Sequence, residues 1–143
     1  MKISVPLPPA QLSPNRIANQ HSAVTARAKK KYWQQLDAVF AAAGFPATIE
    51  TPVAIDYEFF TARLRLKSGG KSKTIPDGLY RPRDEDNARG SMKAFQDYLK
   101  NSGRIRDDNS KLVRRGRDKV WGDKESAGQC GVVVRFRRLG VGR

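Results

Sequence analysis

The sequence predicts a single α+β domain over residues 1–143, in which a small mixed sheet packs against two main helices. Three observations predict it. Apolar residues alternate with polar ones early (Ile3, Val5, Leu7), midway (Val53, Ile55, Tyr57, Phe59) and late (Val132, Val134, Phe136), the two-residue period of half-buried strands. Between them, two stretches carry apolar residues at three- and four-residue steps, the stripe of an amphipathic helix. Finally, 143 residues that are 38% hydrophobic suffice for one core of two layers, and no internal repeat or domain boundary interrupts them.

Each element follows in turn. The first strand gives way to Pro8-Pro9 and then Ser13-Pro14-Asn15, read as a loop because proline cannot continue a ladder. From about Val24 to Ala43 the residues Trp33, Leu36, Phe40 and Ala43 mark the first helix, which Gly44 and Pro46 end. The second strand follows, with Asp56 and Glu58 on its polar parity. Residues 63–78 surround Ser68-Gly69-Gly70 with cations and have no apolar period after Leu66, so they read as a mobile basic loop. Met92, Phe95 and Leu99 stripe the second helix, which opens near Asp84–Asn87 and stops at Gly103. Leu112–Arg117 and the segment around Val120-Trp121 are expected to pair as a hairpin before the last strand.

Charge narrows the function. There are 28 Lys and Arg against 14 Asp and Glu, a formal net charge of +14, which predicts attraction to a polyanion. No apolar run approaches the roughly 18 residues of a spanning helix, and Met1–Pro9 lacks the apolar region and cleavage site of a signal peptide. Nucleic acid in the cytoplasm is therefore the expected partner, with no membrane and no small-molecule cofactor. The single cysteine, Cys130, excludes an intramolecular disulfide and a Cys-based zinc cluster; it reads as a buried structural thiol. His21 is the only histidine and reads as a surface loop residue. Any bound metal must then be held mainly by oxygen, which suits Mg²⁺ or Mn²⁺.

In so basic a chain the clustered acids stand out. Asp84-Glu85-Asp86 precede the second helix and Asp107-Asp108 follow it. A helix of about 15 residues is roughly 22 Å long, so the chain after Gly103 must turn back for Asp108 to meet Asp84 and Asp86. If it does, three carboxylates share one pocket, which is unfavourable unless a cation sits between them. The same residues also suit an ordinary helix N-cap and turn. Lys93, seven residues after Asp86, falls on nearly the same helical face and outside the apolar stripe. Its ammonium can lean toward the acids and stabilise charge on a phosphoryl oxygen or leaving group.

The stretch Arg83-Asp84-Glu85-Asp86-Asn87, then Lys93-Ala94, Asp97, Leu99, Gly103 and Asp107-Asp108, resembles the signature of the RusA-like crossover junction endodeoxyribonucleases. Ile3-Ser4-Val5-Pro6-Leu7-Pro8-Pro9 followed by Asn15 is similar to their N-terminal strand and proline-rich turn. The resemblance implies a homodimeric RusA-like α+β fold, Mg²⁺ or Mn²⁺, and paired symmetric nicks that resolve a Holliday junction in DNA recombination and repair. Asp84, Asp86 and Asp108 match the essential carboxylates and metal ligands of that family, and Lys93 its essential lysine. The lysine offset of seven, against four in the shorter pattern, looks like a longer-spaced phage and prophage branch. The two offsets differ by about 60° around a helix, and Arg89 is the other candidate for the cation.

DNA backbone contacts are expected from Arg27, Lys29, Lys30 and Lys31 on the first helix. They are also expected from Arg63, Arg65, Lys67, Lys71 and Lys73 in the basic loop, and from Arg104, Arg106, Arg114, Arg115 and Arg117. Two other readings remain open: a non-catalytic nucleic-acid binder whose acids merely cap the second helix, and a metal nuclease acting on flaps or other branched DNA.

Overall fold

The structure is a computed structural model and describes residues 1–63, 65–66, 73–74, 85–107, 109 and 111–140. In chain order its elements are β1 (Lys2–Val5), α1 (Pro14–Asn19), α2 (Ser22–Ala42), β2 (Val53–Ala62), β3 (Arg65–Leu66) and β4 (Lys73–Thr74). They continue with α3 (Glu85–Ser91), α4 (Lys93–Asn101), β5 (Val113–Lys124) and β6 (Gly131–Arg138). The main sheet has the order β1-β6-β2-β5. β6 pairs antiparallel with both β1 and β2, whereas β2 and β5 run parallel. The mixed α+β architecture predicted from the apolar periods is what the chain adopts.

One face of the sheet carries the core. Ile3 and Val5 of β1, Val53, Ile55, Tyr57 and Phe59 of β2, and Val132, Val134 and Phe136 of β6 are all buried there. α2 and α4 close over that face with Tyr32, Leu36 and Phe40 from one helix and Phe95, Tyr98 and Leu99 from the other. Phe40 links the two helices, with ring centroids 6.2 Å from Phe95 and 5.5 Å from Tyr98, while Tyr57 of the sheet meets Phe95 edge-on at 6.2 Å. Each such buried side chain contributes roughly 1.5–3 kcal/mol relative to exposure. Gly44 and Gly103 end α2 and α4 with positive φ, at the two stops expected from the sequence.

Several expectations are corrected. Leu112–Arg117 and Val120-Trp121 do not form a hairpin: they belong to one continuous strand, β5. A bulge opposite Asp56 absorbs Gly116 and Arg117, so the glycine bends the strand without ending it. The second helix is not continuous either. Met92 leaves helical geometry (φ −83°, ψ 4°) and its N–H bonds the Arg89 carbonyl three residues back, separating α3 from α4. Ser13-Pro14-Asn15 is not a loop but the start of α1, where Pro14 sits in the first turn and its missing N–H costs nothing. Within residues 63–78, Arg65–Leu66 pairs with Lys73–Thr74 in a short ladder. Ala43, placed on the α2 stripe, is exposed, and Tyr32 is the buried residue there. Cys130 is half-buried rather than buried, its Sγ 3.6 Å from the Ser126 carbonyl.

Candidate functional site

The centre of the expected site begins at α3. Asp84 and Asp108 lie outside the described residues, as does the side chain of Asp86, so their mutual geometry is not described. What is described is how the elements next to them are held. Asn109 launches β5: its side-chain oxygen accepts from the N–H groups of Lys111 (3.0 Å) and Leu112 (3.2 Å), and its carbonyl accepts from Val113. Beside it, Asp107 pairs with Lys100 of α4 at 3.5 Å.

Further along β5, Asp118 turns toward α3 and forms an ion pair with Arg89. The Asp118 side chain is only 5% exposed, and its Oδ1 has no hydrogen-bond partner among the described residues. Arg89 also reaches the carbonyls of Ile55 and Gly116, each at 3.4 Å, and lies 5.0 Å from the Tyr57 ring centroid. This guanidinium is thus built into the joint between α3 and β5. At the next position of α3, Pro14 packs against Gly90, where a Cβ would stand 2.7 Å from the proline ring.

Tyr57 lies under the joint with its hydroxyl accepting from Gln96 at 3.2 Å. Burial pushes its phenol up to about 12, against the opposing pull of the Gln96 hydrogen bond and the Arg89 charge. It therefore remains neutral at physiological pH and is no general base.

Lys93 opens α4 and is 74% exposed, with its ammonium 3.4 Å from Asp97. Asp97 also binds Lys29 of α2 at 3.1 Å, and Lys29 lies 5.1 Å from the Trp33 ring centroid. Lys29 is thereby directed across to α4. Arg27, Lys30 and Lys31 instead line a cleft of about 740 Å³ between α2 and the loop at Leu7–Pro9.

The remaining expected phosphate contacts divide. Arg104 donates to the Phe45 and Pro46 carbonyls and stacks 4.5 Å from the Phe40 ring centroid, a contact inside the fold. Arg63 pairs with Glu125 at 3.3 Å, and Arg115 with Asp118 at 3.5 Å. Arg106, Arg114 and Arg117 are exposed. Lys67 and Lys71 lie outside the described residues, as do the side chains of Arg65 and Lys73.

His21 caps α2, its Nδ1 accepting from the Ala23 N–H at 3.1 Å. With Cys130 packed beside Ser126, the nitrogen and sulfur donors both have structural roles. Among the described residues no group of three His, Cys, Asp or Glu side chains could hold a metal ion. The carboxylates that the sequence singles out as metal ligands, Asp84, Asp86 and Asp108, fall outside that search. Among the described residues, no helix is long and apolar enough to cross a membrane.

Two residues of this region escaped the sequence reading, Asp118 and Asp56. Asp56 was visible only as a polar-parity residue, and Asp118 carried no signal because its segment read as a hairpin. No protein-family model matches the chain, and comparison with curated proteins gives no match either.

Proposed function

We propose that this chain is a divalent-metal-dependent endonuclease that resolves four-way DNA junctions by paired symmetric phosphodiester cleavage, acting as a RusA-like homodimer. The observation that most supports this reading is the joint between α3 and β5. In sequence, Asp84 and Asp86 belong to the entry of α3, and Asp108 immediately precedes the Asn109 turn that launches β5. The Arg89–Asp118 pair fastens those two elements to each other.

In this reading Asp84, Asp86 and Asp108 hold Mg²⁺ or Mn²⁺. The bound ion supplies a water of lowered pKa and polarises the scissile phosphate. Because Arg89 is committed to β5, Lys93 is the favoured cation for the charge that develops on the phosphate or the leaving oxygen. Arg27, Lys30 and Lys31 hold the DNA backbone, giving affinity without base reading. Selection for a junction comes from two symmetric subunits spanning the crossover.

The test compares a synthetic four-way junction, a flap and a linear duplex, with Mg²⁺ or EDTA. Symmetric nicking of the junction in Mg²⁺ alone is expected. Asp84→Ala, Asp86→Ala and Asp108→Ala each abolish cutting while retaining junction binding. Junction binding without any metal-dependent nicking would establish a non-catalytic binder instead, and preferential flap cutting would reassign the substrate.

A further inference from the structure

The second face of the sheet, opposite α2 and α4, is where β2, β5, β6 and β1 present their polar parity. In register across it lie Lys2, Arg135, Asp56 and the bulged Arg117, then Ser4, Val133, Glu58 and Lys119, then Phe60 and Trp121. Arg137 and Arg114 flank Ala54 at one end. Six cations thus surround two carboxylates, and both carboxylates are engaged within the face. Asp56 is clasped by Arg137, and Glu58 accepts the Trp121 indole N–H at 2.9 Å. Among the described residues no helix covers this face.

The aromatic pair is the telling part. Trp121 remains 37% exposed, directly opposite Phe60 of the neighbouring strand. Glu58 fixes the direction of its indole from the neighbouring strand. A lysine ammonium stands over each ring, Lys119 at 3.9 Å from the Trp121 centroid and Lys124 at 5.1 Å from that of Phe60. Two hollows open along the sheet, the second of them lined by Phe60. One, of about 340 Å³, lies among Glu58, Arg117, Lys119 and Arg135; the other, of about 330 Å³, lies beside Phe60, Val133 and Gln129. Flat rings alternating with cations on an open sheet combine π surfaces for bases with charge for phosphates.

We infer that this sheet face binds an unpaired nucleic-acid strand, with a base taking the place of the Lys119 ammonium on the exposed Trp121 ring, and phosphates running along Arg117, Lys119 and Arg135. A duplex fits poorly, because its base faces are hidden in its own stack. A second copy of the chain fits poorly as well, since it would set like charges against each other. The inference does not depend on the acids of the nuclease reading, so it stands or falls separately.

Binding of a fluorescein-labelled oligothymidylate, followed by anisotropy with the full chain, tests it. Trp121→Ala is expected to weaken binding by about five- to a hundredfold, the range for one base–aromatic stack. Trp121→Phe should restore most of the loss, and duplex binding should change little in either variant. Arg135→Ala should lower the salt slope by about 0.7, as for one lost phosphate contact on a single strand. Oligothymidylate should also quench the indole fluorescence of the unmutated chain, a readout that needs no variant. Undiminished binding by Trp121→Ala, no quenching, or equal competition by polyglutamate would overturn the inference.

Discussion

Two aspartate–arginine pairs flank the same β5 bulge on opposite faces of the sheet, and they differ in almost everything that sets their worth. Asp118–Arg89 lies inward, between β5 and α3, with side chains 5% and 15% exposed. Asp56–Arg137 lies outward, bidentate at 2.6 and 3.0 Å, with water at hand. The inner pair joins a helix to a strand, with no backbone ladder between them, and leaves Asp118 Oδ1 without a hydrogen-bond partner among the described residues. The outer pair joins adjacent strands already held by backbone bonds. A buried pair is a commitment of the fold, because either partner alone is stranded in low dielectric. An exposed pair is an adjustment of the surface.

The largest expected effect breaks the inner pair. Asp118→Leu alone should cost about 3–5 kcal/mol in urea unfolding, because it strands the largely buried Arg89 guanidinium. Arg89→Met should cost less, since Arg115 still stands 3.5 Å from the Asp118 carboxylate. The double replacement should cost far less than the sum of the two. Strict additivity would mean that the two side chains do not act as a unit.

The bulge between the pairs comes next. A Cβ at Gly116 would collide with Asp56 Oδ1 and stand 2.5 Å from the Ile55 carbonyl oxygen. Gly116→Ala should therefore cost about 1–3 kcal/mol, read as a lowered thermal midpoint. An unchanged midpoint would show that the bulge relaxes freely.

The outer pair gives the smallest effect and the clearest pH signature. Burial pushes the Asp56 carboxyl up, but hydrogen bonds from Arg137 and the Arg117 N–H, with both guanidinium charges, hold it below its ordinary value. Its contribution is thus full above the unfolded value of about 3.9 and disappears as pH falls through the lower folded value. Asp56→Asn should cost under about 1 kcal/mol at neutral pH and should flatten the acid limb of the stability curve. An acid limb identical to that of the unmutated chain would sharpen the contrast further, by assigning the pair no stability at all.

Much of the fold was legible because it rests on local periodicity. Ile55, Tyr57 and Phe59 alternate since one face of β2 is covered; Leu36 and Phe40 repeat since one face of α2 is. What escaped depends on contacts distant in sequence. Asp118 falls between the two arms of the expected hairpin until Asp56 is seen opposite a bulge at Gly116 and Arg117, and Met92 reads as mid-helix until its N–H is seen to close on Arg89. Pro14 reads as a breaker, although in a first turn it is a helix starter. At the candidate site, composition and spacing singled out the acids and Lys93. Arg89 was noticed only as a spare cation, because its partner Asp118 lies 29 residues away in a strand that the sequence divided in two.

The order of the sheet also has a consequence for synthesis on the ribosome. β6 is an inner strand, inserted between β1 and β2, so β1 has no neighbour in this sheet until β6 emerges. A nascent chain that stops short of Gly131 exposes the pairing edges of β1 and β2 together, the circumstance in which strands find wrong partners. A chain that ends before β6 thus leaves β1 without its ladder and the sheet without the strand that joins its two halves.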